Sequence, residues 1–201
     1  MSIKNLKDSY DSKKKAIRAK LGAFKNLSRE EQKKELMFCI LTPQSNAQRC
    51  WEAVEQISSL RSFEEGRIRE ILKSRTRFHN NKTIYLLEAL RTWNKIQEKL
   101  NEENTKELRN WLADSVKGYG LKEASHFLRN IGKSENKLAI LDRHILRNLV
   151  NYGIIKDTKI KGRKDYLEKE QKYLDFAGRL GIHSDELDLL FWSRENGEIF
   201  K

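Results

Sequence analysis

Apolar residues recur at spacings of three and four along most of this chain, separated by Lys, Glu, Arg and Ala, which is the rhythm of helices that bury one face. A single proline, Pro43, and ten glycines leave few breaks, so the predicted fold class is all-α. Ser28 and Glu31 stand at capping-box spacing and open a helix that runs to about Leu41. Pro43 ends it, and a second helix is predicted from Asn46 to Ile57. Further helices are expected over 64–72, 82–100, 105–116 and 121–130, the second of these with Ile84, Leu86, Leu87 and Leu90 on one broad apolar face. A loop over 132–137 leads into the apolar run Leu138 to Leu141, after which Asp142 is placed to cap a helix through Tyr152. Two last helices follow, over 164–180 and from Ser184 to about Glu195.

Charge adds a partner class to this picture. Lys and Arg total 41 against 29 Asp and Glu, a formal charge of +12, and this balance favours a polyanion. The opening MSIKNLKDSYDSKKK lacks the apolar stretch of a secretory leader, and no run approaches the roughly 18 apolar residues that span a bilayer, so a soluble, intracellular protein with no membrane partner is expected. Cys39 and Cys50 lack CxxC spacing and are read as packing residues; with four His scattered singly, no structural transition metal is expected.

The segment KGYG, residues 117–120, separates two helices by only four positions. Gly118 and Gly120 permit a tight turn and a close backbone approach, and the amides at the start of the following helix favour an anion such as a DNA phosphate, although the same pattern also serves as an ordinary helix–helix turn. Lys122 follows by two residues, where the positive end of the helix disfavours an ammonium; Lys117 and Arg143 are further cations that would act on it.

The whole stretch VKGYGLKEASHFLRN, residues 116–130, resembles the helix-hairpin-helix motif of the HhH-GPD superfamily of DNA glycosylases, and an aspartate follows at the expected interval in ILDRHI, residues 140–145. KEASHFLRN together with LDRHIL is similar to the archaeal-type 8-oxoguanine DNA glycosylase/AP lyase class of that superfamily. FCILTPQSNA, residues 38–47, and FWSRENGEIFK, residues 191–201, extend the likeness over most of the chain.

This resemblance implies a bifunctional enzyme acting on double-stranded DNA that contains 8-oxoguanine. Lys122 would attack C1′ of the damaged nucleotide and form a Schiff base, leading to β-elimination, while Asp142 stabilises the charge on the sugar; Asp142 also reads as a simple N-cap. The target base would be flipped out and stacked between Phe78 and Trp192, each of which also reads as a core residue. The terminal carboxylate of Lys201 would accept hydrogens from the guanine edge, with Ile199 and Phe200 packing the tail down. Gln44 would fill the hole left in the duplex, with Ser45 and Asn46 as neighbours of similar capacity or as caps of the next helix. Lys13 to Lys15, Arg75, Arg77, Lys82 and Arg163 form either a phosphate track or a solvated face.

The family architecture implies two helical lobes around a DNA-facing cleft, one over 38–130 and one made of 1–37 with 131–201, in a monomer. No cofactor is required, and backbone carbonyls of the hairpin are suited to a monovalent cation. Two alternatives stay open at this level: a glycosylase for another damaged base, and a catalytically idle helix-hairpin-helix DNA-binding module. The absence of any cysteine beyond Cys50 disfavours relatives with a C-terminal four-cysteine cluster, and the presence of both Lys122 and Asp142 disfavours the idle module.

Overall fold

The computed structural model describes residues 2–201, and among them it holds eleven helices and no strand. In chain order these are α1 Ile3–Phe24, α2 Arg29–Leu41, α3 Ala47–Ser58, α4 Glu65–Lys73, α5 His79–Arg91, α6 Trp93–Lys99, α7 Thr105–Ser115, α8 Leu121–Asn130, α9 Arg143–Asn151, α10 Arg163–Leu180 and α11 Ser184–Asn196. The all-α expectation holds. The capping box before α2 is present in full: Ser28 Oγ accepts from Glu31 N, and the Glu31 carboxylate accepts from Ser28 N at 2.7 Å. The Ser28 hydroxyl, and after it the Ser28 backbone amide, hold the Glu31 carboxyl below its ordinary pKa.

Two parts of the pattern read differently in three dimensions. The N-terminal segment, assigned no helix above, is the 22-residue α1, which buries Leu6, Tyr10, Ile17 and Phe24 along one stripe between its lysines. The helix expected over 82–100 is broken at Thr92, whose hydroxyl and amide both donate to Glu88 O, ending α5 before α6 restarts. Its apolar face is also narrower than expected, because Ile84 is 46% exposed while Leu86 is fully buried.

The chain divides into two compact units, Leu27–Phe127 on one side and Met1–Asn26 with Leu128–Lys201 on the other. The first therefore starts before residue 38, the expected lobe boundary, because the whole of α2 packs on α3 and α5. Pairs α4 with α5 and α3 with α4 complete the unit around Leu36, Leu41, Val54, Ile57, Leu72 and Leu86. Cys39 and Cys50 are buried in it as free thiols, as expected.

In the second unit α11 is the central element and packs against α1, α9 and α10. Leu187, Leu189, Leu190 and Phe191 are fully buried, and each such side chain contributes about 1.5–3 kcal/mol relative to exposure. Its acids are answered one by one. Glu186 accepts from Tyr10 Oη at 2.5 Å and from Arg18 Nε at 2.7 Å, and burial together with Glu186 pushes the Tyr10 hydroxyl up to about 12. Asp188 accepts from Arg129 Nη2 at 3.0 Å, an ion pair with both partners buried.

Candidate functional site

The hairpin is tied down from both sides. Tyr119, the aromatic residue of KGYG, is buried and donates its hydroxyl to Leu36 O at 3.0 Å, and its amide donates to Val116 O at 3.0 Å. Gly118 has φ of +87°, and a Cβ built there would lie 2.5 Å from Cδ2 of Tyr85. Glycine is thus required at 118 by backbone conformation and by the Tyr85 ring pressed against it. Lys117 Nζ lies 5.9 Å from the centroid of the same ring and 3.4 Å from Glu88 Oε2, so this cation is engaged with Glu88 and Tyr85.

At the start of α8, Glu123 performs two tasks. Its Oε2 accepts from Gly120 N at 3.1 Å, occupying an amide of the hairpin, and its Oε1 accepts from Lys122 Nζ at 3.1 Å. Lys122 is partly buried, with its side chain 25% exposed. Sequence reading passed over Glu123, although a glutamate three positions after a glycine N-cap is the second half of a capping box and was the available signal.

Besides Arg109, this unit buries a second cation, Lys82. It is 4% exposed, so the reading of it as a phosphate contact or solvated residue is corrected. Its Nζ donates to Leu41 O at 2.7 Å, Pro43 O at 2.8 Å, Ser45 Oγ at 3.0 Å and Thr76 Oγ1 at 2.7 Å. Desolvation lowers its pKa to about 8; the thiol of Cys50 opposes the fall, while the charges of Lys122 and Arg77 add to it. Burial in turn pushes the Cys50 thiol up. Contacts from residues 41–45, some forty positions away, together with Thr76 make Lys82 distinctive, so no local signal marked it.

Around this cation stand the two turns that carry Gln44 and Phe78. Both residues have left-handed backbone, with φ of 56° and 57°. Gln44 is exposed, and Phe78 is 53% exposed with the Arg77 guanidinium 5.3 Å from its ring centroid, so Phe78 is not a core residue. Of the two residues that follow Gln44, Asn46 caps α3 by accepting from Arg49 N at 3.0 Å, whereas Ser45 faces Lys82 and Thr76.

In the other unit Asp142 caps α9. Oδ1 accepts from His144 N and Ile145 N, both at 2.8 Å, and Oδ2 accepts from Trp192 Nε1 at 3.0 Å. The Trp192 ring is half-buried and tilted against His144, with centroids 5.2 Å apart. A cap role leaves the second oxygen of an aspartate uncommitted, and here the indole N–H orients it. The tail beyond α11 turns at Gly197, with φ of +81°, and ends with Lys201 buried at 9% exposure. Arg143, invoked above as a cation, is exposed. Among the described residues, no group of three or more His, Cys, Asp or Glu could hold a metal ion, and no helix is long and apolar enough to cross a membrane.

The family model described as 8-oxoguanine DNA glycosylase matches residues 17–182. An 8-oxoguanine DNA glycosylase/AP lyase of Fusobacterium nucleatum is 40% identical, over 96% of this chain and 94% of its own length. The enzyme of the same name from Methanocaldococcus jannaschii is 36% identical and covered from end to end. A crystal structure of the Methanocaldococcus jannaschii 8-oxoguanine glycosylase/lyase in complex with a 15mer DNA containing 8-oxoguanine superposes with a TM-score of 0.89 at 34% identity, covering 99% of both chains. The 8-oxoguanine DNA glycosylase of Thermotoga maritima gives the same TM-score at 28% identity, over 99% of this chain and 98% of its own.

Proposed function

The chain belongs to the 8-oxoguanine DNA glycosylase family, and on that premise we propose that it excises 8-oxoguanine from duplex DNA and cleaves the strand at the resulting abasic site, with Lys122 as nucleophile and Asp142 as its electrostatic partner. Full-length similarity to an enzyme captured with 8-oxoguanine DNA carries this reading. The position of Lys122 at the second residue of α8, behind a two-glycine hairpin, supplies its chemistry.

The neutral Lys122 amine attacks C1′ of the extruded nucleotide. The bond from C1′ to the base nitrogen breaks with its electron pair leaving on the base, and the sugar carries positive charge as this happens. A carboxylate oriented by two backbone amides and one indole N–H suits that charge, which is the arrangement of Asp142. After loss of a proton from nitrogen, the ring oxygen leaves C1′ with its electron pair and takes up a proton, giving the protonated imine. Removal of a proton from C2′ then forms the C2′–C3′ double bond as the C3′–O bond breaks and its electron pair leaves with the phosphate.

Phe78 and Trp192 are assigned to the two faces of the base, an exposed ring and a half-buried one. Lys201 is assigned, through its main-chain oxygen, to the N1–H and N2–H of the guanine edge, which its burial in a packed tail supports. Gln44 is assigned to the vacated stack, and the backbone of Gly118 and Gly120 to a phosphate, which would displace the Glu123 carboxylate from Gly120 N. A monovalent cation would be held by main-chain carbonyls of the hairpin and add positive charge facing that phosphate; a turn fixed by Tyr119 through both its amide and its hydroxyl fits such a guest. The reading describes a monomer associated with DNA.

Borohydride trapping tests the assignment, on duplexes carrying 8-oxoguanine, uracil, thymine glycol or no lesion, with native protein and Lys122→Gln. A covalent adduct on the 8-oxoguanine duplex alone, lost in the variant, is expected. An adduct on a different lesion would move the substrate, and binding without adduct or base release would leave only a DNA-binding module.

A further inference from the structure

Left-handed backbone costs a non-glycine residue on the order of 1 kcal/mol or more, so a turn keeps it only where its surroundings over-determine it. The Leu27–Phe127 unit does so at Gln44 and Phe78, both with exposed side chains. One group is bonded to the backbone or side chains on both sides of the first residue and just before the second. The Lys82 ammonium donates to Leu41 O and Pro43 O before Gln44, to Ser45 Oγ after it, and to Thr76 Oγ1 two residues before Phe78. The hydroxyls close the ring: Ser45 and Thr76 lie 2.8 Å apart, Ser45 Oγ accepts from Arg77 N at 3.0 Å, and Thr76 Oγ1 donates to Leu41 O at 3.0 Å.

An apolar side chain would fill this space without desolvating a charge, whose burial is expensive. A cation held by neutral oxygens alone does what an apolar residue cannot: it converges carbonyls and hydroxyls of two separate turns on one point. We propose that Lys82 is a positioning residue for lesion recognition, a buried ammonium that fastens the turn carrying Gln44 to the turn carrying Phe78, so that the residue assigned to the vacated stack and the residue assigned to the base face move as one. The inference rests on the roles proposed for those two side chains. Lys82 touches neither DNA nor the reacting atoms in it.

A merely structural lysine and a positioning one differ in how their loss combines with loss of the residues positioned. Single-turnover excision of 8-oxoguanine is measured for native protein, Lys82→Met, the double variant Gln44→Ala/Phe78→Ala, and the triple variant. β-Elimination on a preformed abasic duplex, which has no base to stack, is measured alongside. Lys82→Met is expected to slow excision by at least about tenfold, since small misplacements of positioning groups have effects of that size, while slowing elimination by less than about threefold. Adding Lys82→Met to the double variant is expected to change excision by less than about twofold, because contacts that act as a unit are lost only once.

Multiplying effects in the triple variant, equal losses of excision and elimination, or native excision in Lys82→Met would each overturn the proposal. Native excision in Gln44→Ala/Phe78→Ala would overturn it as well, since nothing would then be left to position. Native borohydride trapping tells that result apart from failure of the glycosylase reading. If Lys82→Met does not fold, Ser45→Ala/Thr76→Val removes the hydroxyl half of the ring and leaves the charge. A several-fold loss confined to excision is then expected, and no loss would count against the proposal.

Discussion

Two buried cations of this protein, Arg129 in one unit and Lys82 in the other, are held in opposite ways. Arg129, 2% exposed, meets a carboxylate, Asp188. Lys82, 4% exposed, meets four neutral oxygens. A cation facing a carboxylate is locked, because neither charge tolerates loss of the other. One facing only carbonyls and hydroxyls keeps a protonation equilibrium near neutrality, with a pKa lowered to about 8. The first arrangement frames α8 and α11; the second sits beneath the turns that present exposed side chains. The choice of counter-group therefore separates a locked ion pair in the frame from a titratable fastening beneath the two turns.

The largest effect is expected from Arg129→Met, which leaves Asp188 buried without its guanidinium and should cost roughly 3–5 kcal/mol in denaturant unfolding. Arg129→Met/Asp188→Leu should recover most of that; if the double variant is no more stable than the single one, the pair is not the lock described. Next comes Trp192→Phe, which keeps a ring but removes the N–H that orients Asp142 Oδ2. Hydrogen bonds to charged groups are worth about 1.5–3 kcal/mol, so single-turnover excision should fall on the order of 10- to 100-fold with little change in DNA affinity. An unchanged rate would show that the cap bonds alone hold the carboxylate.

A third effect separates the two cations by pH. Between about 8 and 10.5 the unfolded chain keeps the Lys82 proton while the native state has released it, so stability rises with pH across that window and the cost of the buried charge is fully present below it. Native protein should gain on Lys82→Met by up to about 1.4 kcal/mol per pH unit there, whereas the difference between native protein and Arg129→Met should stay flat. A flat difference for Lys82→Met would place its proton elsewhere. The smallest effect is Ser28→Ala, which removes one half of the capping box before α2 and should lower stability by about 1 kcal/mol without changing excision per folded molecule.

Local chemistry was legible in the sequence, and convergence was not. Ser28 and Glu31, the break at Pro43, the hairpin glycines and the cap at Asp142 are set by neighbours within four residues, and all were visible as spacing. Thr92 ends α5 by bonding to Glu88 O, a competition between side chain and backbone that a run of apolar positions conceals. α1 was hidden by its lysines, since Leu6, Tyr10, Ile17 and Phe24 are sparse among charges and become a stripe only when wound. The candidate site divides the same way. Lys122 and Asp142 stood out through resemblance and position, while Lys82 looked like any surface lysine until residues 41, 43, 45 and 76 were brought around it. Glu123 and the indole of Trp192, which orient the proposed nucleophile and carboxylate, belong to that second kind of information in different degrees: the first was readable as a cap, the second joins residues 50 apart.

The bond between Tyr10 and Glu186 spans 176 residues, and it has a consequence on the ribosome. At about 5–20 residues per second, α1 emerges roughly 10–35 s before the central helix that covers its apolar stripe. During that wait the Leu27–Phe127 unit, contiguous in the chain, is free to fold, while α1 stays in solution on the strength of its lysines. The lysines that space out the apolar stripe of α1 would keep it solvated until the helix that covers it emerges.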